Sequence, residues 1–296
     1  MYKKSYLLLL SSIKGFKVLI SAIACGINVR KVVISKDTKV LNDYSKEIID
    51  LCRQNSLEYS INIKDFEIDN EDIVVAVSWK WIINCPLNQL LVFHDSILPK
   101  YRGFAPLANM LINGEKKIGV TALFGSKKYD TGKIIFQKSV KINYPIKIND
   151  AISVLSEIYE ELSKIIFLSE FNYLIDNAQE QNEDLATYSI WRDEEDYYID
   201  WSQSSEEIQR FVNAVGFPYQ GARTLLGDSE IFIDEVVIIK DLKLTNRHFG
   251  KVIFLEDNKP VVICGRGLLR IDNARIKNNN GYKKLIPLEK FRIRFG

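Results

Sequence analysis

Histidine and methionine are scarce in this chain, and cysteine is never clustered: among 296 residues there are two His, two Met and four Cys. Cys25, Cys52, Cys85 and Cys264 lie far apart and form no C-x-x-C pair. Neither a secreted disulfide framework nor a zinc cluster finds the spacing it needs, so reduced, mostly buried thiols in a cytoplasmic protein are expected, and no metal. An excess of one charge is missing too. Forty Lys plus Arg against thirty-eight Asp plus Glu leave a formal charge of +2. A nucleic-acid partner normally requires a clustered basic face, so none is expected. Long apolar runs are also absent. Lys3-Lys4 ahead of Tyr6–Leu10, with Ala24-Cys25 further on, has the outline of a lipoprotein signal. The run stops at Ser11-Ser12, however, and Lys14 and Lys17 follow, which an h-region does not tolerate. No stretch approaches the roughly 20 apolar residues of a membrane helix, so no membrane partner is expected. With Gly and Pro modest and Tyr and Phe plentiful, disorder is not expected either.

What is present has the rhythm of an α/β protein. Tyr6–Leu10 is a continuous apolar run, as in a strand buried on both faces of a parallel sheet. Gly15–Ala24 follows with Phe16, Leu19, Ile20 and Ile23 at helical spacing, and Gly26 marks the stop. Val29–Ile34 is a second strand and Tyr44–Arg53 a second amphipathic helix, while Ile73–Val77 and Leu90–Phe93 are further buried-type strands. Gly119–Phe124, a polar excursion over Gly125–Gly132, the strand Ile134–Gln137 and a long helix over Ile148–Phe167 complete the first part. The amide-rich, acidic stretch Asn177–Asp184 reads as a surface connection. This alternation predicts a Rossmann-like, doubly wound, mainly parallel sheet. From Ser204 onward, one helix and several short alternating strands punctuated by glycine predict a smaller β-rich unit resembling an OB-like barrel. The expected division is therefore 1–203 and 204–296.

In doubly wound sheets ligands bind beyond the carboxyl ends of the strands. His94 directly follows the strand Leu90–Phe93, in a loop running His94-Asp95-Ser96-Ile97-Leu98-Pro99-Lys100-Tyr101-Arg102-Gly103-Phe104-Ala105-Pro106. Its proline and glycine suit a rigid loop that presents polar groups to a ligand. His94 is the one group there that titrates near neutrality. His248, beside Arg247 and before Gly250, reads as an exposed loop residue.

This loop, followed by Asn113-Gly114-Glu115, Gly119-Val120-Thr121, Asp130-Thr131-Gly132-Lys133-Ile134-Ile135 and Gln137, resembles the signature of the folate-dependent formyltransferases over about fifty residues. Ile199-Asp200-Trp201 and Phe217-Pro218-Tyr219 extend the likeness, more weakly, to members with a C-terminal barrel, among them the sugar N-formyltransferases and the methionyl-tRNA formyltransferases. The resemblance implies a formyl donor, 10-formyltetrahydrofolate, and an amine acceptor. It implies His94 and Asp130 as the catalytic pair, the carboxylate orienting the imidazole, although Asp130 beside Gly132 also suits a turn former. It implies that the pterin meets Ser78, Trp79, Lys80 and Trp81 after the Ile73–Val77 strand, with the polar loop Gly125–Tyr129 facing them. Alternation lets at most one of the two tryptophans touch the ring, and Lys80 suits a solvated position as well. Ser96, Tyr101, Arg102 and Gly103 are the candidate acceptor contacts. Arg102 fits either a phosphate or a nearby carboxylate.

One position departs from the pattern. Where the family carries a catalytic asparagine two residues ahead of the histidine, this chain has Val92, which has no side-chain donor for a developing oxyanion. Asp95, Ser96, a backbone N–H or the His94 imidazolium are the candidate replacements; catalytic decay to a folate or nucleotide-sugar binding protein, or formate release to water, are the alternatives. For the acceptor, methionyl-tRNA formyltransferases carry a basic insertion where this chain has only Ser35-Lys36-Asp37-Thr38-Lys39. That leaves a nucleotide-linked amino sugar as the expected partner, as in making formamido sugars for surface polysaccharides. Relatives imply a homodimer.

Overall fold

The computed structural model describes residues 4–38, 40–278 and 281–296; Lys3 and Lys39, named above, lie outside them. The chain forms two compact units. The first comprises 1–107, 117–141 and 150–190, and the second 108–116, 142–149 and 191–296. The contiguous part of the second unit thus begins ahead of the 203/204 division expected from sequence. Ile199 and Trp201 explain the difference, since both are buried in the apolar core of the second unit.

In the first unit, β1 (Ser5–Leu10), β2 (Val29–Ile34), β3 (Tyr59–Ser60), β4 (Asp72–Val77) and β5 (Leu90–His94) pair in parallel, in the order β3-β2-β1-β4-β5. Leu7, Leu8, Leu9 and Leu10 have no exposure, nor do Val74, Val75 and Val77 of β4, as expected of strands covered on both faces. Two antiparallel strands, β7 (Lys117–Phe124) and β8 (Ile134–Lys141), extend the sheet beyond β5 and make it mixed. A two-residue ladder, β6 (Arg102–Gly103) with β9 (Tyr188–Ser189), stands apart from that sheet.

The first unit's helices are α1 (Ser12–Ala24), α2 (Ser45–Gln54) and α5 (Phe171–Asn177), with α3 (Pro106–Ile112) and α4 (Ile148–Leu168) running across unit boundaries. Gly26 ends the region of α1 with φ 61°, a conformation that carries no penalty for glycine. Lys17 reaches Glu160 at 3.0 Å and Ser21 donates to the Glu160 carbonyl at 3.0 Å, tying α1 to α4. The strand order reverses between β1 and β4, the switch point at which such sheets bind ligands. There the Ser11 N–H bonds the Val77 carbonyl at 3.2 Å, and the hydroxyls of Ser12 and Ser78 share a 3.0 Å hydrogen bond.

In the second unit, α6 (Ser205–Val215) opens on a capping box: the Glu207 N–H donates to Ser204 Oγ at 3.2 Å, and the Ser204 N–H donates to the Glu207 carboxylate at 2.9 Å. An antiparallel sheet follows from β10 (Ala222–Leu226), β11 (Ser229–Ile239), β12 (Val252–Glu256), β13 (Lys259–Ile263), β14 (Leu268–Asn278) and β15 (Gly281–Lys284). It is ordered β10-β11-β14-β13-β12, with β15 on β14. The path ends at β10 and β12 without a pairing between them among the described residues.

Candidate active site

His94 closes β5, whose carboxyl end lies beside that of β4, with β1 next in the sheet. Alternation along β5 puts Leu90, Val92 and His94 on one face and Leu91 and Phe93 on the other. The His94 ring is buried. Its Nε2 lies 2.7 Å from the Tyr101 carbonyl oxygen, which only accepts, so Nε2 carries the hydrogen. Nδ1 is left facing Asp130 Oδ1 at 3.5 Å. The other oxygen of Asp130 accepts from the Gly103 N–H at 2.8 Å, which steers the carboxylate.

Several backbone positions here are held in the left-handed region that non-glycine residues avoid: Ser12 (φ 65°), Ser78 (51°), Tyr101 (60°), Ala105 (46°) and Asp130 (54°). Each such conformation costs about 1–3 kcal/mol and persists where the surroundings impose it. Tyr101, Ala105 and Asp130 lie in the loops that follow His94 and carry Asp130, while Ser78 follows β4 and Ser12 opens α1. Gly132 shows how close the packing is, since an added Cβ would stand 1.8 Å from the Phe124 carbonyl oxygen.

Of the residues singled out in the sequence, His94, Tyr101, Gly103 and Asp130 are brought together, with Tyr101 and Gly103 contributing backbone groups. Ser96 and Arg102 are placed differently from the acceptor contacts expected of them. Ser96 is fully buried and its hydroxyl donates to the Lys100 carbonyl at 2.6 Å, closing the loop on itself. Arg102 is fully buried as well: its guanidinium takes both oxygens of Glu183, at 2.7 and 2.8 Å, and Gln181 Oε1 at 2.8 Å. The carboxylate alternative is therefore the one realised.

On the pterin side, Ser78 bonds Ser12, Lys80 pairs with Asp37, and Trp81 is exposed with its ring edge toward Trp79, at 5.0 Å and 63°. Trp79 is half-buried on the apolar cluster of Leu7, Leu9, Val74 and Ala76 that Val92 also joins. Its Nε1 is buried and has no hydrogen-bond partner among the described residues. An orphaned buried donor costs about 1–3 kcal/mol, so this one requires an explanation. Tyr129 stands exposed against Phe104, ring centroids 5.6 Å apart. The 125–132 loop also walls a cleft of about 430 Å³ whose other lining includes Leu87, Asn88 and Ile175; His94 is not part of that lining.

Three networks become visible only in the fold. Asp95, taken as a possible oxyanion partner, is an acceptor engaged at both oxygens: Lys14 Nζ is paired with Oδ2, and the Tyr159 hydroxyl donates to Oδ1 at 2.7 Å. Burial pushes the Asp95 carboxyl up, but the Lys14 ammonium, the Tyr159 hydroxyl and the neighbouring His94 outweigh it and hold it below its ordinary value. Burial first, then the Asp95 charge, push the Tyr159 phenol well above its usual range. Thr121 and Gln137 form a second network: Thr121 donates to the Ser96 carbonyl at 2.6 Å, and Gln137 donates to the Leu98 carbonyl at 2.8 Å. Finally, Gln181, read as part of a surface connection, donates to the carbonyls of Asp130 at 2.7 Å and Gly132 at 2.8 Å. Nothing in the pattern of residues 177–184 signals that role.

Comparison with known proteins gives this geometry a context. The Formyl transferase profile matches residues 24–168, and the profile of the formyl transferase C-terminal domain matches 192–286. A methionyl-tRNA formyltransferase of Marinobacter nauticus is 30% identical over 234 residues, covering 73% of each chain. The chain belongs to the formyl transferase family. Another methionyl-tRNA formyltransferase, of Carboxydothermus hydrogenoformans, is 33% identical to this formyltransferase, again with 73% of each covered. Among solved structures, the sugar 3N-formyltransferase WlaRD superposes with a TM-score of 0.67 at 19% identity, covering 97% of this chain and 100% of its own. An N-formyltransferase from Helicobacter canadensis superposes at 0.64 and 19% identity, covering 90% and 98%. At that identity the likeness is one of fold. Members of the family are enzymes that take the formyl group from formyltetrahydrofolate, and 10-formyltetrahydrofolate is the donor of this formyltransferase.

Proposed function

We propose that this formyltransferase moves the formyl group of 10-formyltetrahydrofolate onto the amino group of a nucleotide-linked amino sugar, with His94 and Asp130 managing the proton. The observation that carries the chemistry is the His94 environment. The Tyr101 carbonyl holds the hydrogen on Nε2, so Nδ1 is the basic nitrogen, 3.5 Å from a carboxylate. As the acceptor amine attacks the formyl carbon, Nδ1 takes a proton from it and Asp130 balances the imidazolium that results. The same proton is delivered to the donor's nitrogen as the carbon leaves it. The products are a formamide and tetrahydrofolate.

The choice of acceptor rests on charge and on the short 35–39 segment. A tRNA acceptor requires many phosphate contacts, whereas this chain carries a formal charge of +2. The solved structures whose fold it shares over most of its length include a sugar 3N-formyltransferase solved with dTDP and an N-formyltransferase solved with dTDP-3-aminofucose. A second reading, transfer to methionyl-tRNA, is favoured by the curated sequence relatives, which carry that name. We place the reaction in the cytoplasm and expect a homodimer.

The test is a panel of dTDP-, UDP-, GDP- and CMP-amino sugars and methionyl-tRNA, each with 10-formyltetrahydrofolate, on the wild type and on His94→Asn. Formylation of an amino sugar that falls by about 10²–10⁴-fold in the variant is the expected result. Formylation of tRNA alone establishes the second reading, and turnover unchanged in His94→Asn sinks the catalytic assignment.

A further inference from the structure

Attack on a formyl carbon moves the carbonyl π pair onto oxygen, and a low-dielectric site has to meet that charge with a donor aimed at it. Val92 has none to offer. Among the described residues the hydroxyls and the ring N–H beside His94 have acceptors of their own. The Ser96 hydroxyl is given to the Lys100 carbonyl, and the Thr121 hydroxyl to the Ser96 carbonyl. Lys14 and Tyr159 are committed to Asp95, the His94 Nε2–H to the Tyr101 carbonyl, and the Gly103 N–H to Asp130. Trp79 is the exception, with a buried indole N–H that has no partner among the described residues.

Its position in the fold fits the need. Val77 of β4 pairs with Phe93 of β5, so the chain leaving β4 through Ser78 and Trp79 runs beside His94. The Trp79 ring packs on the same apolar cluster as Val92, hence on the sheet face that alternation along β5 assigns to both Val92 and His94. The Ser12–Ser78 bond ties the start of this turn to α1, and the Trp81 ring packs against Trp79 at 5.0 Å and 63°. An indole N–H is a donor only, so its one polar partner is an acceptor. Buried among apolar groups at a strand tip and closed to solvent in this conformation, it can meet only an acceptor that substrate binding brings against it.

We infer that the Trp79 Nε1–H hydrogen-bonds the formyl oxygen as negative charge develops there, supplying the donor that Val92 lacks. The inference rests on the formyl-transfer reading above. In the balanced step, the amine nitrogen forms its bond to the formyl carbon and the π pair moves to the oxygen, where Trp79 meets it. The pair then returns to restore C=O as the bond from carbon to the donor nitrogen breaks. The amine proton, carried by His94, ends on that nitrogen.

Trp79→Phe tests this, because it removes the N–H and keeps an aromatic ring against the cluster. With the acceptor the wild type uses, kcat is expected to fall about 10²–10³-fold, the cost of one lost oxyanion donor. KM for 10-formyltetrahydrofolate and Kd for folinic acid are expected to stay within threefold. The double variant Val92→Asn with Trp79→Phe returns a side-chain donor to the same face and is expected to recover at least tenfold of the loss, which a ring that merely packs does not explain. A kcat within threefold of wild type overturns the inference. So does a loss that falls equally on folinic acid affinity and thermal stability and is not recovered by Val92→Asn. A wild type without turnover on any acceptor, or one matched by His94→Asn, removes the formyl-transfer reading itself and the inference with it, an outcome distinct from an active, His94-dependent enzyme that ignores Trp79→Phe.

Discussion

Lys14 illustrates how much a single residue decides in this protein. In the sequence it appears only as a charge that breaks an apolar run. In the fold its ammonium is almost wholly buried and pairs with Asp95, the residue next to His94. A buried pair is costly to desolvate, and removing one partner is costlier still, because it strands the other. Lys14→Met is therefore expected to lower stability by about 3–5 kcal/mol in denaturant unfolding at neutral pH. The pH dependence has a definite sign. Asp95 is held below its ordinary value of 3.8 in the folded chain, so its contribution is fully present above that value and is lost as pH falls through the lower, folded one. Wild-type stability should thus decline on acidification below about pH 4, and the Lys14→Met curve should decline less over that window, since the ion pair responsible is already gone. Parallel curves from pH 5 to pH 2 count against this account.

At the scale of elements, strand ends do the assembling. His94 terminates β5, Ser78 follows β4, Ser12 follows β1, and Asp130 sits in the hairpin between β7 and β8. That hairpin is closed by the approach of Gly132 to the Phe124 carbonyl, and any larger residue meets backbone there. Gly132→Ala is expected to displace the 125–132 loop and move Asp130 away from His94. A loss of turnover of at least tenfold, with Tm also lowered, is the expected outcome, checked by initial rates and calorimetry; unaltered kinetics contradict it. How much of this was legible beforehand varies by element. β1, β2, β4 and β5 were readable because strands buried on both faces must be apolar throughout, and β8 was underestimated because its outer half is exposed and polar. Residues 177–190 were unreadable. Gln181 and Glu183 are polar because they serve Arg102 and the Asp130 loop, and contacts across 49 to 81 positions leave no local periodicity.

At the scale of the whole molecule, each of the two units has apolar clusters of its own, in keeping with two domain profiles. The second core gathers Trp201, Ile233, Val262 and Phe295, with the Trp201 and Phe295 rings stacked 6.0 Å apart. The overall charge bears on the acceptor. If the acceptor is a nucleotide-linked sugar, its KM is expected to rise only modestly between 50 and 200 mM salt, whereas binding through many tRNA phosphates loses about 10³–10⁵ in affinity over that range. A steep dependence, measured by filter binding of methionyl-tRNA, favours the tRNA reading.

The linear order of residues determined the sheet, the position of His94 at a strand tip and the family, because burial patterns and strand-end loops are local properties of a chain. Which nitrogen of that imidazole stays basic, why Arg102 is occupied by Glu183, and which indole is left with an unmet N–H were decided by packing. The first rests on where the loop places the Tyr101 carbonyl, at 2.7 Å, and the Asp130 carboxylate, at 3.5 Å; the second on Glu183, 81 positions further on; and the third on the lack of an acceptor beside a buried ring, none of which spacing along the chain encodes.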